Sequence, residues 1–116
     1  MTNQRLREVC LALPGATLDY PFDSETGCFR VGGKIFALSN LDARPLKVNL
    51  KGDPALNRDL RASYPDILPG WHMNKEHWNT VNLDGSLDED FVAGLVRHSY
   101  DLVKASLPRS VRTNLG

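Results

Sequence analysis

The fold is decided by the stretch Leu46-Lys47-Val48-Asn49-Leu50-Lys51. Leucine or valine occupies every second position, and lysine or asparagine occupies the positions between them. Because successive side chains of a β-strand point to opposite faces, this alternation predicts a strand with one face on an apolar core and the other in water. Sheets that are covered on one side only are typically antiparallel. We therefore expect further antiparallel strands around this stretch, and helices that cover one face of the sheet.

Further strands are predicted on both sides of this stretch. The segments Cys28–Val31 and Lys34–Asn40 flank Gly32-Gly33, a dipeptide that suits a two-residue hairpin turn. The segment Trp78–Leu83 is rich in β-branched and aromatic residues, which favour strands. Residues 16–27 form a polar, turn-rich segment without a predicted strand.

Three helices are predicted by capping residues and by apolar periodicity. Thr2 is placed to cap the first helix, and Asp53-Pro54 opens the second. Ser86–Glu89 has the pattern of a capping box at the start of a long third helix, which Pro108 ends. We expect the tail beyond Pro108 to fray. The predicted fold class is α+β, a mostly antiparallel sheet with helices packed on one face.

Composition places the chain among ordinary globular proteins. Its 116 residues suit one domain over 1–116, and 41% of them are apolar while 24% are charged. The formal net charge is zero, which gives no overall attraction to nucleic acid or to anionic lipid. No apolar run approaches the length of a membrane span, and the N-terminal residues lack the apolar core of a signal peptide, so we expect a cytoplasmic protein. Cys10 and Cys28 show no metal-site spacing and are expected to be free and buried.

Charge is unevenly distributed along the chain. Residues 28–51 contain five basic residues and one acidic residue, a net charge of +4. Residues 84–101 contain five acidic residues and one basic residue, a net charge of −4. A basic sheet segment of this kind can hold a polyanion, although lysines on strand exteriors also protect sheet edges from aggregation.

The chain's densest chemistry lies in residues 69–83. This stretch contains both tryptophans, two of the three histidines, a lysine and several side-chain amides. Pro69-Gly70 predicts a turn at its start, and the strand that begins at Trp78 predicts its end.

These residues carry a resemblance to the MmcQ/YjbR family of small bacterial proteins. The similar stretches cover nearly the whole chain: Val31–Ala37, Val48–Lys51, His72–Val81, Asp84–Leu87 and His98–Tyr100. The resemblance implies a frataxin-like (CyaY-like) α+β fold and DNA binding through a double-wing arrangement. Frataxins present an acidic ridge on their first helix, whereas the first helix here carries only Glu8 against two arginines, which disfavours an iron-chaperone role.

The leading hypothesis is a non-enzymatic nucleic-acid-binding module that uses the open sheet face and the loop before Trp78. Basic side chains would contact phosphates, amides and a hydroxyl would meet sugar or base edges, and the indole of Trp78 would stack on a base. The predicted site comprises Lys34, Arg44, Lys47, Asn49, Lys51, His72, Asn74, Lys75, His77, Trp78, Asn79 and Thr80.

Two alternatives remain open at this point. The first is a pocket for a small anionic ligand, or an enzyme site, built from His72, Lys75 and His77, since histidine shuttles protons near neutral pH. No recognisable catalytic motif, metal site or cofactor motif accompanies these residues. The second alternative is that the loop is purely structural, its histidines hydrogen-bonded to backbone carbonyls and its tryptophans packed on the sheet.

Overall fold

A six-stranded antiparallel sheet, with helices on one face, forms the frame of the protein. The computed structural model describes residues 1–115. The helices are α1 (Asn3–Leu11), α2 (Pro54–Ser63), α3 (Glu89–Ala105) and α4 (Arg109–Thr113). The strands are β1 (Thr17–Asp19), β2 (Thr26–Val31), β3 (Lys34–Asn40), β4 (Lys47–Lys51), β5 (Ile67–Pro69) and β6 (Trp78–Asn82). The sheet order is β1-β2-β3-β4-β6-β5, and every neighbouring pair is antiparallel.

The alternating strand β4 lies inside the sheet and fixes which residues share a face. Val48 pairs with Val81, and both are buried on the helix-covered face. Residues directly opposite each other in an antiparallel pair point to the same side. The other face, called here the outer face, therefore carries three further pairs of these strands: Lys47 with Asn82, Asn49 with Thr80, and Lys51 with Trp78. The predicted fold class and these faces are confirmed.

The core lies between the sheet and the helices. Helix α3 packs on β2, β3 and β4, helix α2 packs on β5 and β6, and α1 packs against α3. The rings of Phe36 and Tyr100 meet edge to face with centroids 5.4 Å apart, which joins β3 to α3. Ser99, fully buried on α3, donates a hydrogen bond to the carbonyl of Phe36 and accepts one from the backbone N–H of Lys51. One helix is thereby fastened to two adjacent strands.

Two of the predicted caps are confirmed and one is wrong. The Thr2 hydroxyl accepts a hydrogen bond from the backbone N–H of Arg5 at 3.1 Å, and the Asp53 carboxylate caps α2. The capping box at Ser86–Glu89 does not form, because Asp88 occupies the N-cap position of α3. The N–H and hydroxyl of Ser86 donate instead to the carboxylate of Asp66. Ser86 is therefore bonded to a distant loop, and α3 has no side-chain hydrogen bond at its N-cap.

The two ends of the sheet and the C-terminus depart from the sequence prediction. The segment predicted as turns contains the short edge strand β1, and the other edge is formed by β5, which was not predicted. The tail does not fray over its described part, since residues 109–113 form α4 and Val111 packs against the core. Gly116 lies outside the described residues. Within residues 1–115, none of the helices is both long enough and apolar enough to cross a membrane.

Candidate functional site

The loop of residues 70–77 joins β5 to β6, and its Trp71 is fastened over the outer face by two polar side chains of the sheet. Further along the loop, the carbonyls of Lys75 and Glu76 accept hydrogen bonds from two side chains of α2, Arg61 and Asn57. The backbone N–H of Trp71 donates to Thr80 Oγ1 at 2.9 Å, and Asn49 Nδ2 donates to the carbonyl of Trp71 at 3.1 Å. The Thr80 hydroxyl in turn donates to Asn49 Oδ1 at 2.6 Å. Asn49 and Thr80 are buried beneath the loop. Their polar atoms position Trp71, and both residues also line the recess beside it, so their contact with nucleic acid stays a prediction.

The side chain above this clamp is the most exposed large apolar group of the described chain. The Trp71 residue is 71% exposed although its backbone is held on both sides. The rings of Trp71 and His72 lie with centroids 4.3 Å apart and tilted by 42°. His72 has a φ of 59°, in the left-handed region that non-glycine residues rarely adopt. The loop backbone is thus committed to one turn that presents the indole to solvent.

Two concave surfaces border this indole. The larger one, called here the Trp71 groove, has a volume of about 440 Å³ and lies between the Trp71–His72 turn and the segment that joins β3 to β4. Its lining comprises Thr26, Leu38, Asn40, Ala43, Arg44, Pro45, Lys47, Asn49, Trp71, His72 and Thr80. The smaller one, called here the Leu68 hollow, has a volume of about 250 Å³. It is lined by Lys47, Leu68, Pro69, Trp71 and Thr80.

The groove carries free positive charge. Arg44 and Lys47 are exposed, and neither forms an ion pair with any residue in the described part of the chain. One acid, Asp42, lies close to these cations in the sequence, and a second, Asp84, reaches the same segment from 38 residues beyond Leu46. The Asp84 carboxylate accepts a hydrogen bond from the backbone N–H of Leu46 at 2.6 Å, while Asp42 is exposed on the same connecting segment. Both cations belong to the site predicted from the sequence, and both line the Trp71 groove.

Two other predicted residues, Lys51 and Trp78, lie on the outer face but outside the Trp71 groove, and a third, Lys75, lies in the part of the loop that is held by α2. Lys51 and Trp78 are half-buried and directly opposite each other. Lys75 is exposed, and its Nζ donates to the carbonyl of Gly70 at 3.3 Å. The stacking role predicted for Trp78 is better suited to Trp71, because Trp71 is far more exposed and lines the groove.

Asn74 and His77 serve the loop itself. The side-chain oxygen of Asn74 accepts hydrogen bonds from the backbone N–H groups of Glu76 at 2.9 Å and His77 at 3.2 Å, which forms an Asx turn. The carbonyl of His77 accepts a hydrogen bond from the N–H of Gly52, tying the loop to the end of β4. Neither Lys75 nor His77 lines the groove that contains His72. The predicted three-residue pocket is therefore not formed as such.

Two predicted contacts lie on the wrong side of the sheet. Asn79 is buried on the helix-covered face, where its Oδ1 accepts a hydrogen bond from Arg61 Nε at 2.7 Å. Lys34 pairs with Val31, a core residue, so it belongs to the same covered face. It also lies six residues along β3 from Asn40, about 20 Å at the usual rise of a strand. The hairpin register decides this placement.

The remaining reactive groups lie away from the groove or are blocked by burial. Burial raises the pKa of the Cys10 thiol to about 12 and also raises the pKa of Cys28, so both thiols stay protonated near neutral pH. His98 lies on α3, and its buried Nε2 has no hydrogen-bond partner among the described residues. Among residues 1–115, no group of three His, Cys, Asp or Glu side chains is close enough to hold a metal ion.

Sequence reasoning missed the two features that define the groove. Trp71 lies in the loop but is absent from the predicted site, and the turn predicted at Pro69-Gly70 falls instead at Trp71–His72, because Pro69 ends β5. Asn40 was also missed; its Oδ1 accepts the backbone N–H of Asp42, and it forms part of the groove lining. No sequence signal joins Asn40 to Trp71, since the groove brings together residues about thirty positions apart.

Comparison with known proteins identifies close relatives. The family model YjbR matches residues 11–102. The chain is 37% identical over 113 residues to Escherichia coli K12 protein YjbR, which is named as uncharacterised, covering 97% of this chain and 95% of that protein. It is also 37% identical over 108 residues to the uncharacterised protein YbdF of E. coli O157:H7, covering 92% of this chain and 88% of that protein.

Two solved structures resemble the whole architecture. The crystal structure of Deinococcus radiodurans protein DR2400, a DUF419 domain, superposes with a TM-score of 0.92 at 40% identity, covering 99% of this chain and 88% of that one. A crystal structure of a Pseudomonas syringae protein superposes with a TM-score of 0.78 at 31% identity, covering 89% of this chain and 99% of that one.

Proposed function

The chain belongs to the YjbR family, and for this member we propose a non-enzymatic nucleic-acid-binding role carried by the outer face of the sheet. The observation that supports it best is the Trp71 groove, where a clamped and exposed indole stands opposite two cations that have no acidic partner in the described chain. Aromatic platforms beside cationic grooves are the common means of binding nucleic-acid strands.

The distribution of charge between the two sides of the sheet supports the same role. Four basic residues lie on the outer face, line the Trp71 groove or belong to the adjoining loop: Arg44, Lys47, Lys51 and Lys75. The same segments carry two exposed acids, Asp42 and Glu76, while the acidic residues of α3 belong to the helical layer on the opposite side. A polyanion that approaches the outer face therefore meets more basic than acidic residues of these segments, although the molecule as a whole is neutral.

The number of cations predicts the salt dependence of binding. Each phosphate neutralised contributes about −0.9 to the slope of log affinity against log salt on duplex DNA and about −0.7 on a single strand. Four contacts thus give a slope of about −3.6 on duplex and about −2.8 on single strands. Removal of one contact should reduce the slope by close to one unit.

The test is a fluorescence-anisotropy titration of labelled single-stranded and duplex oligonucleotides from low to moderate salt. Lys47→Gln and Arg44→Gln should each weaken binding and flatten the salt slope. Arg58→Gln is the matched control, because Arg58 is an exposed arginine on α2 in the helical layer. Absence of binding at low salt, or equal losses from Arg58→Gln and Arg44→Gln, would refute the proposal.

A second candidate function is the binding of a small anionic ligand in the same groove. It is favoured by the groove's concavity, since its volume of about 440 Å³ falls within the range of about 300–1,000 Å³ typical of ligand sites. The cations there would be Arg44 and Lys47 beside His72, rather than the three loop residues predicted from sequence. A thermal-shift screen with anionic metabolites distinguishes the two: stabilisation by a metabolite, with no binding of oligonucleotides, supports this candidate.

A further inference from the structure

The indole of Trp71 divides the outer face into two neighbouring recesses. The Trp71 groove and the Leu68 hollow share three lining residues, namely Trp71, Lys47 and Thr80. The groove adds a cation and an amide, Arg44 and Asn40, whereas the hollow adds mainly apolar surface. A ligand that fills both recesses must therefore pass the indole and the Lys47 side chain.

The clamp fixes the backbone of Trp71 at a position where its indole is exposed. An exposed tryptophan gives up the stability that burial would bring, yet here two buried side chains hold its backbone in place. Because this backbone is already held, a ligand that binds the indole does not have to order the turn that carries it, which strengthens binding. The structure thus provides an exposed aromatic surface on a held backbone, with space for a partner beside it.

Flat aromatic groups carrying a negative charge match this arrangement. Unpaired nucleobases offer free π-faces for stacking, whereas the bases of a duplex are stacked on one another and offer only their edges. We propose that the Trp71 groove and the Leu68 hollow bind two successive unpaired nucleotides of a single strand, one base on each side of the Trp71 indole. Lys47, common to both recesses, contacts the phosphate between them, and Arg44 contacts the next phosphate on the groove side. This inference rests on the proposed nucleic-acid binding and specifies its strand form.

The other occupant to consider is a protein partner on the exposed apolar groups. Apart from Trp71, the recesses expose one further large apolar residue, Leu68, which is 52% exposed. Charged residues are depleted at the centre of protein interfaces, yet Lys47 lies between these two apolar groups by lining both recesses. The charge pattern therefore favours the nucleotide strand.

The experiment compares a labelled 12-nucleotide oligothymidine with the matched 12-base-pair duplex by anisotropy at 50 mM salt. Wild-type protein should bind the single strand more tightly. Trp71→Leu should weaken single-strand binding by about 5- to 150-fold for each of the two bases whose stacking is lost, and should change duplex binding less than twofold. Trp71→Phe should restore most of the single-strand affinity, because phenylalanine keeps an aromatic face. Phe22→Leu is the control, since Phe22 is 68% exposed and lines neither recess.

A length series adds a second readout. A thymidine dinucleotide carrying a 5′-phosphate should compete for the site more strongly than thymidine monophosphate, and Trp71→Leu should remove this difference. Two results would overturn this inference while leaving nucleic-acid binding intact. The first is equal competition by the dinucleotide and the monophosphate. The second is tighter binding of the duplex, with Trp71→Leu losing the same affinity for the duplex and for the single strand. No binding of either form refutes both proposals. Sedimentation as a dimer that Trp71→Leu abolishes, without any oligonucleotide binding, assigns the surface to a second copy instead.

Discussion

The hydroxyl of Thr80 provides the sharpest test of the clamp beneath Trp71. This one oxygen accepts a hydrogen bond from the backbone N–H of Trp71 and donates one to Asn49, at 2.9 and 2.6 Å. Thr80 is 7% exposed, so water does not readily replace either partner. Thr80→Val keeps the branched shape on β6 but removes both hydrogen bonds.

The size of the effect follows from the groups left without partners. A buried polar group that loses its hydrogen bond costs about 1–3 kcal/mol. Two groups are affected here: the backbone N–H of Trp71, at the margin of the sheet, and Oδ1 of Asn49. The added methyl group offsets part of this loss, by about 0.8 kcal/mol. We expect the free energy of unfolding to fall by about 2 kcal/mol. With an m-value of about 2 kcal/mol/M, the urea midpoint falls by about 1 M.

Urea unfolding followed by circular dichroism measures this change, and Thr113→Val is the control. The Thr113 hydroxyl donates to the carbonyl of Arg109 on the exposed face of α4, so its loss should cost less than about 0.5 kcal/mol. Single-strand affinity of Thr80→Val, measured without urea, should also fall because Trp71 is no longer held. Unchanged stability in Thr80→Val, within 0.5 kcal/mol of wild type, would show that the clamp contributes nothing and would refute this reasoning.

Three further predictions concern the frame around the site. Gly70→Ala should lower the free energy of unfolding by about 1–3 kcal/mol, because a Cβ there would lie 2.7 Å from the Trp78 Cβ and 2.8 Å from its carbonyl oxygen. Gly94→Ala, in open space within α3, should instead raise it by about 1 kcal/mol. Urea midpoints of the two variants that shift in the same direction would contradict this pair of predictions. Ser99→Ala should lower the free energy of unfolding by about 1–3 kcal/mol, since it leaves a backbone carbonyl of β3 and a backbone amide of β4 without their shared partner, and a loss below 0.5 kcal/mol in thermal or urea unfolding would count against that role. Burial raises the pKa of the Cys10 thiol to about 12 in the folded protein, whereas the same thiol ionises from about pH 9 in the unfolded chain. The free energy of unfolding of the wild type should therefore fall more steeply than that of Cys10→Ala as the pH rises from 9 towards 12. Parallel pH profiles for the two proteins would be inconsistent with the burial of this thiol.

The strength of each sequence prediction depends on how local its cause is. Alternation along β4 assigned Val48 to the core and Lys47 to the outer face correctly, because side-chain direction in a strand follows from the chain itself. The Thr2 cap was also predictable, since donor and acceptor lie three residues apart. The Ser86 capping box was equally local, yet Asp88 takes the N-cap position and Ser86 bonds instead to Asp66, twenty residues earlier in the chain. A local pattern therefore fails where its polar side chain bonds to a distant part of the chain.

The periodicity of apolar residues and the composition by themselves determined the α+β class and the antiparallel sheet. They also determined the two faces of β4 and the basic character of the central strands. Tertiary structure alone decided which outer-face groups meet solvent. The side chain of Asn49 points to the same face of the sheet as that of Lys47, but the 70–77 loop covers it. Trp71 is left exposed beside a groove whose opposite wall includes Arg44. The physical reason is that strand direction is set by backbone sterics within a few residues, whereas burial depends on which distant segment finds its hydrogen-bond partners on that surface.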